Sequence, residues 1–479
     1  MSGEWRVASA IFASFRSPLF FMQSQKFALM LDSVRRLARG GSTARALNVL
    51  RKGRPADVAQ VLHELSDLDR RAVFTVLARS ETELAALSLN ELSLEEGVEL
   101  LKTLAPEEIA QVLQEMASDD AAEFVGQLPE DLRERLLDLM KVEASTDVQE
   151  LLSFAEGTAG RIMTPDVFSL KEDLTVGEAI SAIQRAGSDV ELVYYLYVVD
   201  DRNHLVGVSS LRQLLLVPPT TPLKKIMSTD VISVRTDTDQ EEVAQVVARY
   251  NLLGVPVVDV ENKLAGIVTV DDVLDVIRDE ATEDIYALAG VRSEESVVGS
   301  PLRSVRLRLP WLLVNLATAV LAASVINSFR GTIEKVVVLA SLQSIVAGMG
   351  GNAATQTLAV IVRGLALGEV TWENGRRVLF KEILVGIVNG VVNGLIAGTI
   401  VWLWFGFSLK MLVIGAIIAA ALIINLVIAS IAGTVIPLVL RKLKADPALA
   451  STVFVTTCTD VGGFLTFLGL ATLLIRYLK

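Results

Sequence analysis

Residues 410–440 read KMLVIGAIIAAALIINLVIASIAGTVIPLVL, with no charge after Lys410. A helix crosses a bilayer in roughly 20 apolar residues, and this stretch is long enough to cross with tilt or a break. Working outward, four further apolar stretches of spanning length lie at about 309–329, 336–362, 381–405 and 452–475. Residues 309–479 are therefore predicted to form an all-α polytopic membrane domain with five helices in a lipid bilayer. Hydrophobic residues make up 52% of the 479, high for a soluble chain, and they concentrate after Arg308.

Charge divides the chain in the same place. From residue 301 onward there are 6 acidic and 15 basic residues; before it there are 50 and 29. Residues 1–55 hold 10 bases and 2 acids, which leaves a net charge of −29 on 56–300. Self-repulsion of that size destabilises a compact domain unless cations screen it. Two readings are open: a well-solvated acidic protein, or a sensor of divalent cations. Basic residues mark the cytoplasmic side of spans. With the N-terminal domains inside, ten basic residues between Arg303 and Lys444 fall on the inner side. Five fall outside: Arg330, Lys335, Lys410, Arg476 and Lys479. That balance predicts a cytoplasmic N-terminus and, with five spans, an external C-terminus.

Cys458 is the one cysteine, which rules out an intrachain disulfide, and the two histidines, His63 and His204, lie outside the membrane region. Zinc and copper sites want His and Cys; this chain offers oxygen ligands, which suit Mg2+ or Ca2+. No nucleophile–base constellation or phosphate loop is present, so an enzyme is not expected, nor is nucleic acid as a partner. Residues 1–30 are basic and partly apolar (Ile11, Phe12, Phe15, Phe20, Phe21), interrupted by Arg16 and Pro18. No Ala-x-Ala follows, so a surface-lying or disordered arm is predicted rather than a signal peptide.

Residues 31–152 read as consecutive short helices, an α-helical superhelical N domain. Pro55-Ala-Asp-Val-Ala-Gln-Val-Leu62 returns as Pro106-Glu-Glu-Ile-Ala-Gln-Val-Leu113, a period of 51. Pro at a helix start followed by acids suits the first turn and its dipole. Residues 153–277 carry a second duplication. Met163-Thr-Pro-Asp-Val-Phe-Ser-Leu170 matches Met227-Ser-Thr-Asp-Val-Ile-Ser-Val234, and Val198–Gly207 matches Val257–Gly266. Each copy reads β-α-β-β-α, which resembles an α/β tandem CBS module. In such modules the last β-α turn holds an adenosine ribose, so Thr269 and Asp272 are the candidate nucleotide (ATP) residues; in the first copy Gln213 stands in the Asp position. Thr269-x-x-Asp272 is also an ordinary capping box. Residues 278–308 connect the module to the membrane.

Inside the spans, Gly386, Gly390, Gly394 and Gly398 form a ladder that lets helices approach closely. Asn315, Asn389, Asn393 and Asn425 either line a wet interior or make interhelical hydrogen bonds. Gly348-Met-Gly-Gly-Asn-Ala-Ala-Thr-Gln356 predicts a locally unwound second span, with a tight helix crossing as the alternative. Asp460 is the one acid well inside a predicted span. A charge there costs at least about 2.5–3.5 kcal/mol on insertion scales, and no Lys or Arg sits at that depth, so water and a cation are its expected compensation.

Thr158-Ala-Gly-Arg-Ile-Met-Thr164, Glu280-Ala-Thr-Glu-Asp-Ile285, Gly350-Gly-Asn352, Asp446-Pro-Ala-Leu449 and Thr459-Asp460, in this domain order, resemble the MgtE family of Mg2+ channels over nearly all of 31–479. The resemblance implies a homodimer in the plasma (inner) membrane of a prokaryote, with one pore on the two-fold axis and Asp460 of each copy binding the ion. Thr456, Thr457 and Asn352 would add oxygens. It implies a Mg2+-selective path into the cytoplasm down the electrochemical gradient. The connecting helix, roughly 278–298, would act as a plug, closed when cytoplasmic Mg2+ bridges Asp239, Asp272, Asp275, Glu280, Glu283 and Asp284, with Asp120 and Glu123 of the N domain. Asn251, Ala354 and Leu342-Gln343 depart from the family pattern. The alternatives are a cation-coupled divalent-metal carrier and a membrane-anchored CBS nucleotide sensor.

Overall fold

The computed structural model describes residues 18–186, 195–292, 295, 300–443 and 447–477, and it divides after Val276 into two compact units.

The first unit opens with ten helices among the described residues: α1 (Pro18–Arg39), α2 (Thr43–Leu50), α3 (Pro55–Glu64), α4 (Asp67–Ser80), α5 (Thr82–Asn90), α6 (Leu94–Leu101), α7 (Pro106–Leu113), α8 (Ser118–Gly126), α9 (Glu130–Leu139) and α10 (Val142–Ser153). Residues 18–30 of the basic arm lie in α1, and residues 1–17 lie outside the described residues. The 51-residue repeat buries the same four positions twice: Val58, Ala59, Val61 and Leu62 in α3, and Ile109, Ala110, Val112 and Leu113 in α7. Both helices begin with Pro in the first turn, where its missing N–H costs nothing. Ser66 and Ser93 cap α4 and α6 by accepting from Asp69 N and Glu96 N.

Two small sheets follow. In the first, β1 (Ser169–Lys171) pairs parallel with β2 (Tyr195–Val199), which pairs antiparallel with β3 (Leu205–Ser210). Helices α11 (Val176–Ala186) and α12 (Leu211–Leu216) belong to this copy. The second copy repeats the pattern with β4 (Val234–Arg235), α13 (Gln240–Tyr250), β5 (Gly254–Val258), β6 (Leu264–Thr269) and α14 (Val270–Leu288). The two copies exchange segments. Thr164 and Ile267 trade backbone hydrogen bonds of 2.8 and 3.0 Å, and Ser228 and Val208 trade bonds of 2.8 and 2.9 Å. Gly266 leaves room for the Met163 side chain and Gly207 for that of Met227. One apolar core runs from Val34 through the helices into Val243, Val255, Val257 and Val268 of the second copy. Arg161 ties the same region: its guanidinium donates to Leu151 O (3.2 Å) and Ala122 O (3.3 Å), and burial lowers its pKa.

Among the described residues of the second unit, five helices are long and apolar enough to cross a membrane. They are α15 (Pro301–Ser328), α17 (Val338–Ala366), α18 (Gly375–Trp404), α19 (Leu409–Lys442) and α20 (Pro447–Leu473), with the short α16 (Arg330–Lys335) after α15. The glycine ladder of α18 lies against α19. A Cβ on Gly390 would sit 2.6 Å from Ile423 Cα, and one on Gly398 would sit 2.7 Å from Gly415 O. The chain reverses after α14 at Gly290, whose φ of 69° and contact with the Trp311 indole leave no place for a side chain. Glu295 then holds Arg308 through two oxygens, both at 3.0 Å, and accepts from Ser304 Oγ at 2.6 Å.

Candidate functional site

Asp460 lies on α20, half-buried, one helical turn after the exposed Thr456 and three residues after Thr457. Thr456 Oγ1 donates to Thr452 O (2.8 Å) and Thr457 Oγ1 to Val453 O (2.6 Å), so their remaining lone pairs face outward from the helix. Among the described residues no Lys or Arg forms an ion pair with Asp460. Asn352 is exposed on α17, which packs along α20; no hydrogen bond joins it to Asp460 among the described residues.

The second span is not unwound at Gly348–Gln356: α17 is one continuous helix, a correction to the expectation. The reason lies on another helix. Asn425 of α19 is 0% exposed and donates from Nδ2 to Val346 O at 2.9 Å, and a Cβ on Gly350 would overlap its carboxamide. The glycine serves a close crossing, and Asn425 makes the interhelical hydrogen bond rather than facing water. Glu382 of α18, read from sequence as the start of a span, is only 5% exposed and takes Lys381 Nζ at 2.7 Å and Thr357 Oγ1 at 3.4 Å. Its signal, an acid beside a lysine at the boundary of an apolar stretch, is common to solvent-facing pairs.

From Ile277 onward α14 is part of the second unit. Ala287 and Leu288 pack on Leu358 and Val362 of α17, and Thr452 Oγ1 of α20 donates to Leu288 O at 3.1 Å. Thr452 precedes Asp460 by eight residues, about 12 Å along a helix. Glu280, Glu283 and Asp284 lie on α14 ahead of this contact; Asp275 is exposed on the same helix.

In the first unit, Asp272 Oδ2 accepts from Thr269 N (3.2 Å) and from Thr269 Oγ1, the capping geometry the spacing also allows. In the first copy the bond runs the other way: Ser210 Oγ, in the position of Thr269, accepts from the backbone N of Gln213 at 3.2 Å. Burial, then the charge of Asp119, raises the Asp272 pKa to about 7. Asp119 stands on α8 and its Oδ2 accepts from Thr164 Oγ1 at 3.2 Å. The family resemblance implies its neighbours Asp120 and Glu123. Asp120 instead accepts from Asn90 Nδ2, and Glu123 is exposed. Helical spacing does not separate the two: Asp119 lies beside Ala122 and Glu123, and Asp120 lies beside Glu123 and the buried Phe124. Asp239 caps α13 by accepting from Glu241 N at 2.9 Å. Among the described residues, no three His, Cys, Asp or Glu side chains gather closely enough to hold a metal. Mg2+ asks for less, since it keeps several waters and binds through one or two carboxylates. Asp446 lies outside the described residues.

Comparison with known proteins agrees with this layout. Residues 343–470 match the family described as a divalent cation transporter, MgtE; 53–157 match the MgtE intracellular N domain; 159–219 and 223–279 match CBS domains. The magnesium transporter MgtE of Thermus thermophilus is 37% identical over 93% of this chain and 98% of its own length. That of Enterococcus faecalis is 39% identical over 70% and 73%. Among solved structures, the cytosolic domain of the Mg2+ channel MgtE in complex with ATP is 40% identical, with a TM-score of 0.48 over 51% of this chain and 99% of its own.

Proposed function

The chain belongs to the MgtE family of magnesium transporters, a multi-pass membrane protein that transports Mg2+, and from that premise we propose a path inward under the control of cytoplasmic Mg2+. Two copies form one pore on a two-fold axis. Asp460 of each copy faces the other across a hydrated ion, with Thr456, Thr457 and Asn352 adding oxygens to its water shell. Because Mg2+ dehydrates reluctantly, two carboxylates contacting bound water suit it better than a dry cage. The membrane is the plasma membrane, with the N-terminus cytoplasmic and the C-terminus outside.

The domains divide the work. Residues 31–152 and 153–277 sense cytoplasmic Mg2+; 278–308 form the plug and link; 309–479 form the pore. Mg2+ held by Asp272 with Asp119, and by Asp239, Asp275, Glu280, Glu283 and Asp284 with Asp120 and Glu123, favours the closed arrangement. Its unequal affinity for the two arrangements moves the equilibrium. The observation that carries this reading is the Leu288–Thr452 hydrogen bond, which ties the end of the acidic helix to the helix bearing Asp460. An adenosine nucleotide such as ATP would be held at Thr269 and Asp272, where a ribose must displace the existing Thr269–Asp272 bonds.

The test is Mg2+ flux into proteoliposomes, comparing wild type with Asp460→Ala at low and millimolar cytoplasmic-side Mg2+. Loss of flux in the variant, and block of wild type by Mg2+, support pore and sensor together. Flux that requires a Na+ or H+ gradient turns the reading to a coupled carrier. Wild-type flux that survives Asp460→Ala removes Asp460 from the pathway.

A further inference from the structure

Three helices of the membrane domain meet on one polar side chain. Asn425 of α19 is 0% exposed and donates to Val346 O of α17 at 2.9 Å. On one side a Cβ at Gly350 of α17 would overlap the carboxamide; on the other, a Cβ at Gly463 of α20 would lie 2.7 Å from Nδ2. Both glycines are buried. The amide therefore fills the space that two absent side chains leave. Its Oδ1 is buried without a hydrogen-bond partner among the described residues. An unmatched acceptor in an apolar interior is unfavourable; the bond to Val346 O and the fit between the two glycines hold the side chain there.

The position gives the amide a role. Gly350 precedes Asn352 by two residues on α17, and Gly463 follows Asp460 by three on α20. Asn425 thus wedges between the two helices at the level of the oxygens proposed to face the ion, but from behind. The α18 side of α19 is already set by backbone contact at Gly386, Gly390, Gly394 and Gly398, so α19 has little freedom to shift away from the wedge.

We infer that Asn425 is a positioning residue that sets the separation of α17 and α20 beside Asp460, and so determines which hydrated divalent cations pass. The inference rests on the pore reading of Asp460. Packed interiors transmit volume changes rather than absorbing them. Removing the amide lets the two helices close or slide, and the discrimination between Mg2+ and the larger Ca2+ falls.

The experiment measures Mg2+ and Ca2+ flux in proteoliposomes of the full chain. Asn425→Ala is expected to keep Mg2+ flux while the Mg2+/Ca2+ flux ratio falls by about tenfold, the size of effect that one mismatched group has in a fitted site. Asn425→Leu, which retains a branched side chain of similar reach, should keep most of the ratio. Gly350→Ala should lose flux, and the double variant Gly350→Ala/Asn425→Ala should recover it, since the new methyl then has room. An unchanged ratio in Asn425→Ala, or no recovery in a folded, monodisperse double variant, overturns the inference. If Asn425→Ala does not fold, the double variant and Asn425→Leu still decide it. Asp460→Ala run alongside separates the two failures: if it leaves flux intact, the pore reading fails rather than the wedge.

Discussion

Lowering the pH from 8 to 6 should weaken cytoplasmic Mg2+ control through one residue, Asp272. Its pKa of about 7 has two causes, burial first and the charge of Asp119 second. An Asp in the unfolded chain titrates near 3.9, so between there and 7 the folded state holds a proton that the unfolded state has released. Folding stability is therefore highest below that window and falls as pH rises through it, by at most about 4 kcal/mol at 1.36 kcal/mol per unit. A cation between Asp272 and Asp119 needs the ionised form and offsets that loss. Protons and Mg2+ then compete. With a pKa near 7, the apparent Mg2+ dissociation constant at this site rises about tenfold from pH 8 to pH 6. The assay is the Mg2+ midpoint for block of flux, paired with the Mg2+ midpoint for thermal stabilisation of the purified full chain, at both pH values. Asp272→Asn should raise the Mg2+-free melting temperature at pH 8 and flatten the pH dependence. A wild-type shift under roughly threefold, or a full shift retained in Asp272→Asn, would refute the linkage.

Three further outcomes follow from the packing. Gly390→Ala places a methyl against Ile423 Cα and should cost about 1–3 kcal/mol, read as a lower thermal midpoint in detergent; an unchanged midpoint would mean α18 and α19 do not approach so closely. Arg161→Ala strands the carbonyls of Leu151 and Ala122 and should cost about 1–3 kcal/mol in unfolding of the first unit, with Arg161→Lys restoring little, because an ammonium lacks the fork that reaches both. Gly290→Ala meets both a left-handed φ and the Trp311 indole, so the reversal after α14 must rearrange. Incomplete block at saturating Mg2+ with normal flux at low Mg2+ is the expected result, and full block would show that this turn does not carry the gate.

Much of this architecture was legible because it repeats. The 51-residue spacing placed Val58 and Ile109 on equivalent buried faces, and the CBS duplication placed Asn203 and Asn262 in matching turns at φ 67° and 64°. What periodicity does not carry is the identity of the element that covers a face. Nothing local in Met163-Thr164 says that it pairs with the opposite copy's strand at Ile267 rather than its own. Asp119 and Asp120 differ by one residue and both suit a helix N-terminus, yet only the first faces Asp272.

The second span shows the same limit most sharply. A glycine is the absence of a side chain, and an absence inside an apolar helix fits two physical situations: backbone released from its helix, or backbone approached by a neighbour. Released backbone at bilayer depth needs water or protein groups to satisfy it; an approached backbone needs only a side chain of suitable reach on another helix. Asn425 lies 75 residues after Gly350, and no spacing rule links them. The same reasoning accounts for Gly463, which lies beside Asp460 and could equally have been read as a flexible joint in the filter. Both glycines answer to one amide on a third helix. Polar residues in a span that read as candidates for the water path are therefore better sorted by asking which glycines elsewhere make room for them. By that criterion Asn425 is a packing residue, held where Gly350 and Gly463 make room for it, while Asn352 is exposed and no glycine among the described residues makes room for it.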